Sequence, residues 1–192
     1  ILGYGAMDAA AGSHASNGED SNIAIGYGSM GAVNAGSDAG ARVYANIAIG
    51  EGALAGGTFG SSDLNLDYNI AIGTNALNST GATAHVGTIA IGADAGTAIN
   101  AATAQGSVLI GHTAGASITT GAGNVAVGYS ALLGNTTGNR NTAIGYGAMD
   151  GSGGATVLDS DDNIFMGYNA GGGTWTTAKS EFNVGIGNYT LD

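Results

Sequence analysis

The chain contains no cysteine and no proline, and only three of its 192 residues are basic: Arg42, Arg140 and Lys179. Without cysteine there is no disulfide framework and no thiolate metal site. Three scattered cations against 14 acidic residues leave a formal net charge of −11. Nothing in that balance can displace counterions from a phosphate backbone, so nucleic acid is not an expected partner. No apolar run approaches the roughly 18–20 residues of a helical bilayer span, so membrane insertion is not expected either. Helix is disfavoured throughout, because each interior glycine costs about 1 kcal/mol relative to alanine and the 38 glycines leave no long stretch free of them. The glycines do not fall at every third position, which excludes a collagen helix. An acidic, cysteine-free chain fits an extracellular setting.

What the sequence does contain is one phrase repeated along its whole length. NIAIG-like pentads end on Gly3, Gly26, Gly50, Gly73, Gly92, Gly111, Gly128, Gly145, Gly167 and Gly187, at intervals of 23, 24, 23, 19, 19, 17, 17, 22 and 20 residues. A constant core with elastic connections is the mark of a solenoid, in which each repeat forms one coil. Residues 1–192 therefore read as a single repeat domain and, since the copies begin and end in mid-unit, as a fragment of a longer fibrous protein.

Each column has a physical reading. Flanking the central residue of the pentad are Ile23 and Ile25, Ile47 and Ile49, Ile70 and Ile72, Ile89 and Ile91, Val108 and Ile110, and Val125 and Val127. Ile144, Ile164 and Ile186 continue the same columns. Residues two apart share one face of a strand, and β-branched side chains suit a pleated surface. The expectation is that these columns point inward as the structural core. The residue between them is mostly alanine (Ala24, Ala48, Ala71, Ala90, Ala126, Ala143), which predicts that a neighbouring molecule packs close behind that face. Asn opens most pentads (Asn22, Asn46, Asn69, Asn124, Asn141, Asn163, Asn183). Stacked asparagines at a coil corner can bond to one another and accept left-handed backbone geometry. A 17-residue coil has a contour of roughly 56 Å and encloses a thin core, marginal by itself. Association of parallel copies is the expected remedy. The fold class is all-β: a parallel β-roll or β-solenoid of about ten short coils, roughly 43 Å long at about 4.8 Å per coil.

The pentad with its continuation, as in Asn141-Thr142-Ala143-Ile144-Gly145-Tyr146-Gly147-Ala148-Met149 and Asn124-Val125-Ala126-Val127-Gly128-Tyr129-Ser130-Ala131-Leu132, resembles the N-x-A-I-G-x-x-A-L repeats of bacteriophage tail-fibre proteins. It is also similar to the head repeats of trimeric autotransporter adhesins. The resemblance covers essentially the whole chain and implies a parallel homotrimeric rod used for recognition or adhesion. The adhesin head repeat is regular and nearer 14 residues, whereas these coils are longer and uneven, which favours the tail-fibre resemblance.

The search for chemistry yields little. His14, His85 and His112 lack partner motifs, no G-x-S-x-G elbow is present, and G-x-G fragments such as Gly26-Tyr27-Gly28 recur as part of the coil rather than opening a helix. An enzyme is not expected, and no cofactor is implied. Carboxylates gather at Asp63 with Asp67 and at Asp159, Asp161 and Asp162. They are weak candidate Ca²⁺ ligands, since that cation takes six to eight oxygens, and solvated acidic loops are the simpler alternative. Tyr4, Tyr27, Tyr129, Tyr146 and Tyr168 follow the column glycine, as a stacked ladder or a sugar-binding stripe would require. Tyr44, Phe59, Tyr68 and Trp175 stand between pentads, where solenoids carry binding residues, and are the candidate receptor contacts.

The expected function is a structural and receptor-binding rod of a phage tail fibre, extracellular on the virion. Its partners would be further copies of itself and a host-surface glycan or protein contacted through variable loops. A bacterial surface adhesin head is the alternative. Another extracellular filament or an ice-binding solenoid ranks lower, the latter for want of a threonine column.

Overall fold

The computed structural model describes residues 2–6, 21–31, 33, 42–56, 65–79, 83–151, 160–173 and 179–191. Its strands are β1 (Ile23–Ile25), β2 (Arg42–Tyr44), β3 (Ile47–Ile49), β4 (Asn65–Asp67), β5 (Ile70–Ile72), β6 (His85–Val86), β7 (Ile89–Ile91), β8 (Val108–Ile110), β9 (Val125–Val127), β10 (Thr142–Ile144), β11 (Ile164–Met166) and β12 (Val184–Ile186). No helix occurs among the described residues. One sheet of nine strands runs β1-β3-β5-β7-β8-β9-β10-β11-β12, parallel throughout, with every pentad in register on the next. Leu2 adds a bridge to Ile25 at one end. The chain is thus a β-solenoid in which each coil contributes one three-residue strand to this sheet.

A second sheet, β2-β4-β6, lies just before the Asn corner in three successive coils. It falls in the variable connections between pentads. Its strands are too short, and its residues too unlike one another, to show periodicity.

The direction of the strands reverses the sequence expectation. The alanines at strand centres are wholly buried: Ala24, Ala48, Ala71, Ala90, Ala126 and Ala143 all line the interior of their own coil. The columns expected as core point outward. Ile23, Ile25, Ile110, Ile144, Ile164 and Ile186 are exposed, at 37% or more. Ile47, Ile49, Ile70, Ile72, Ile89, Ile91, Val108, Val125 and Val127 are half-buried.

The reason is space. Four residues past the column glycine, Met30, Leu54, Leu77, Leu132 and Met149 reach into the lumen and are fully buried. With those chains crossing from the far wall, the strand centre has room for little more than a methyl group.

The exceptions make the same point. Where the strand centre is Leu109, the far-wall positions are Gly96 and Gly115; a Cβ on Gly115 would stand 2.7 Å from a Leu109 methyl. Where it is Phe165, a Cβ on Gly171 or Gly185 would lie 2.8 or 2.6 Å from the ring. Large and small exchange places across a lumen of fixed width, as close packing requires. Ile99 and Ile118 complete the filling beside Leu109.

The far wall is built from turns rather than strand. Leu54, Leu77, Leu132, Met30 and Met149 have φ between 50° and 56°, a left-handed geometry that β-branched residues would resist. Inter-coil bonds offset that strain: Leu54 N–H donates to Ala76 O at 2.8 Å, and Leu132 N–H donates to Ala148 O at 2.8 Å. The column glycines stack so closely that a Cβ on Gly50 would lie 2.6 Å from Gly73 O, and their φ near 130° is open to glycine alone.

At the remaining corner stands the asparagine ladder. The Asn69 side-chain amide donates to Asn46 Oδ1 at 3.0 Å and to His85 O at 2.9 Å, while Asn69 N–H donates to Asn46 Oδ1 at 2.9 Å. Asn141 and Asn163 repeat the pattern. The ladder is as expected, but the left-handed residue is the one before each Asn, as at Ala45, Tyr68 and Arg140. The ladder breaks at Thr88 and Ser107; Thr88 N–H still donates to Asn69 Oδ1, but its own hydroxyl has no partner.

Candidate interaction surface

Because alanine faces the lumen, each strand turns two larger apolar side chains outward. Down the nine-stranded sheet these make two adjacent columns of Ile and Val, varied only by Thr142 and Met166, with no charged residue at any of the positions. Strand pairing holds them in register, Ile47 on Ile70 and Ile49 on Ile72, and so on along the rod. Soluble monomers rarely present a continuous apolar surface of that kind.

Along one margin of this stripe runs the aromatic column. Tyr129 and Tyr146 stack with ring centroids 4.9 Å apart and planes within 7°; His112 stacks on Tyr129 at 5.0 Å and Tyr168 on Tyr146 at 5.3 Å. Tyr4 and Tyr27 form a separate pair at 5.7 Å. Between the two stacks the column carries Glu51, Thr74 and Ala93. Rings stacked along the rod cover each other's faces and turn their edges outward. A sugar ring packs on an aromatic face, so this geometry supports the stacked ladder over the sugar-binding stripe.

Of the candidate receptor contacts, Phe59 and Trp175 lie outside the described residues. Tyr44 and Tyr68 are brought together on the second sheet, edge to face at 5.6 Å. The Arg42 guanidinium sits 5.3 Å from the Tyr44 ring centre, and Tyr68 is 54% exposed. This aromatic and cationic cluster stands on the outside of the coils with longer intervals. Each tyrosine stands alone in the sequence, and the β2–β4 pairing that joins them leaves no pattern there.

The acidic candidates resolve differently. Asp63 and Asp159 lie outside the described residues. Asp67 is buried and receives Arg42, whose Nε donates to Oδ2 at 3.0 Å and whose Nη2 donates to the same carboxylate. Asp162 takes Arg140 in a two-pronged pair, Nε to Oδ1 at 2.6 Å and Nη2 to Oδ2 at 2.8 Å. That contact holds the Asp162 carboxyl below its ordinary range. Asp161 accepts Asn139 N–H at 2.6 Å and lies 3.6 Å from Lys179 Nζ, which also pairs with Glu181 at 2.6 Å. These three carboxylates act as inter-coil clips, and none is left facing a common cation site. Among the described residues no group of three or more His, Asp or Glu is placed to hold a metal ion.

His85 is the functional-looking residue the sequence could not place. It occupies the lumen column behind the Asn corner, directly over Leu66, and is 1% exposed. Neither ring nitrogen has a hydrogen-bond partner. Loss of water pushes its pKa down to about 4, which the nearby Ile99 backbone opposes only weakly.

No family model matches the chain, and neither the curated proteins nor the solved structures contain a match.

Proposed function

We propose that this chain is a rod segment of a phage tail fibre, assembled as a parallel homotrimer outside the cell, which presents recognition elements to a host-surface glycan or protein. The observation that carries the reading is the division of labour within each coil. The rung is constant and locked by backbone bonds on every side, while coil length varies from 17 to 24 residues. A solenoid that holds its rung fixed and varies its connections is suited to carry binding residues at set heights along a stiff axis. The N-x-A-I-G-x-x-A-L resemblance supports a fibre over an adhesin head. No catalytic step belongs to this reading.

Within it, the Arg42, Tyr44 and Tyr68 cluster and the connection bearing Trp175 are the receptor contacts. The test is binding of the intact chain to a glycan array and to candidate host cells, alongside Tyr68→Ala and Trp175→Ala. At least a tenfold loss on one ligand for one variant, with unchanged circular dichroism, is the expected result. Binding that neither substitution weakens would sink the assignment of these contacts. A single-chain mass for the wild-type protein at micromolar concentration would sink the trimer.

A further inference from the structure

We infer that the outward Ile/Val stripe, rather than the alanine face, is the surface through which copies of this chain associate, parallel and in register about a shared axis. The inference rests on the homotrimer proposed above and specifies its contact.

Four observations point to a second copy as the occupant. The alanine face is not available, since Ala71, Ala90 and Ala126 are sealed inside their own coil. The stripe carries no charge in a chain of net charge −11, so like faces can meet without repulsion. Its spacing is that of the strands, one pair of side chains every 4.8 Å or so. A partner that fits it over nine rungs needs the same rung spacing, which another copy supplies. The size is also right. At roughly 50 Å² from each of its side chains, the stripe would bury about 900 Å² per copy, against about 800 Å² per partner in a standard stable interface.

Geometry then favours a closed ring over a pair. Each rung of one copy offers two side chains, such as Ile89 and Ile91, so three copies place six around the axis in each layer. That makes a continuous dry core, while two flat stripes face to face would leave their margins wet.

The test compares wild type, Ile72→Glu with Ile91→Glu, and the exposed off-stripe control Ala102→Glu by sedimentation equilibrium and circular dichroism. The expected result is a three-chain mass for wild type and control, and a one-chain mass with retained β-structure for the stripe variant. A three-chain mass for all three would overturn the placement while leaving the trimer standing. A one-chain mass for wild type would overturn the trimer itself, and this contact with it. Because a charged variant can fail to fold, Ile91→Cys provides a second measure in a chain that has no cysteine of its own. Mild oxidation is expected to join two chains of a trimer covalently through that residue, and the same treatment of Ala102→Cys is not. Absence of cross-linking at position 91 in an assembled trimer would count against the placement.

Discussion

The two 17-residue coils between Gly111 and Gly145 and the longer coils between Gly26 and Gly92 solve the same closure problem by different means. In the short coils the corner before the ladder asparagine is glycine: Gly121 and Gly138 leave room for neighbouring amides, and a Cβ on Gly138 would meet Asn135 Nδ2 at 2.6 Å. Asn135 turns back to accept Gly138 N–H at 2.8 Å. In the longer coils that corner position is Val43, Leu66 or His85, and a second strand replaces the tight turn. Of the basic residues, Arg42 belongs to this second solution and ties β2 to β4, while Arg140 ties the last short coil to Asp162 and Lys179 pairs with Glu181. The short coils turn on backbone and amide; the longer ones turn on strand pairing, with one buried ion pair across it.

That contrast can be broken most strongly in the lumen. Phe165→Ala removes the one aromatic ring that spans a coil faced by Gly171 and Gly185, and should cost about 3–5 kcal/mol. Leu109→Ala, where Ile99 and Ile118 share the filling, should cost less, about 2–3 kcal/mol, because its neighbours can partly collapse into the gap. Equilibrium urea unfolding of the two variants measures the difference; equal losses would mean that the large-for-small exchange is not what fills these coils.

Acid should act next, and locally. The folded-state pKa of His85 is about 4, depressed from an ordinary 6.5 by burial. The neutral form is therefore the one the fold stabilises: its contribution is complete above pH 6.5 and is lost as pH falls toward 4, up to about 3 kcal/mol in all. Described neighbours in the lumen, Leu66, Ile99 and Ala104, bring no charge to offset this, and Asp67 on the adjoining strand is engaged by Arg42. Hydrogen exchange over residues 83–91 should accelerate between pH 6.5 and 4.5 beyond the intrinsic pH effect, and His85→Leu should abolish the excess. Exchange in the 125–144 coils, which have no buried histidine, is the internal reference.

The smallest effect should separate the clips. Arg42→Met leaves the buried Asp67 carboxylate without its partner, whereas Arg140→Met leaves Asp162 at a corner that water reaches. The first should lower the melting temperature measurably and the second hardly at all, because exposed ion pairs contribute little. Equal shifts would mean that burial does not distinguish the two.

Much of this molecule could be read from its letters. The coil, the parallel register, the asparagine ladder and the stacked tyrosines all follow from columns that repeat at the pentad. The polarity of the rung did not, because both faces of NIAIG are apolar and larger apolar side chains ordinarily point inward. In a lumen this narrow the opposite holds, and the methyl group goes in. A signal for it was present: where Leu109 and Phe165 replace alanine, Gly115 and Gly171 replace leucine or methionine, and Gly96 in the coil before Leu109 does the same, which says that the two columns share one space. The second sheet left no such trace, since Val43, Leu66 and His85 have only position in common. Nor did the Arg42–Asp67 pair, whose members are 25 residues apart.

The central claim is that alanine faces the lumen and isoleucine faces out. Thermal unfolding of Ala71→Leu, which faces the buried Leu77, beside Ile72→Asp, followed by circular dichroism on material diluted until wild type is a single chain, tests it directly. With alanine inside, Ala71→Leu overpacks the coil and should lose about 1–3 kcal/mol, while Ile72→Asp should melt close to wild type. The reverse order, a tolerated leucine at 71 and a collapsed coil with aspartate at 72, would contradict the account.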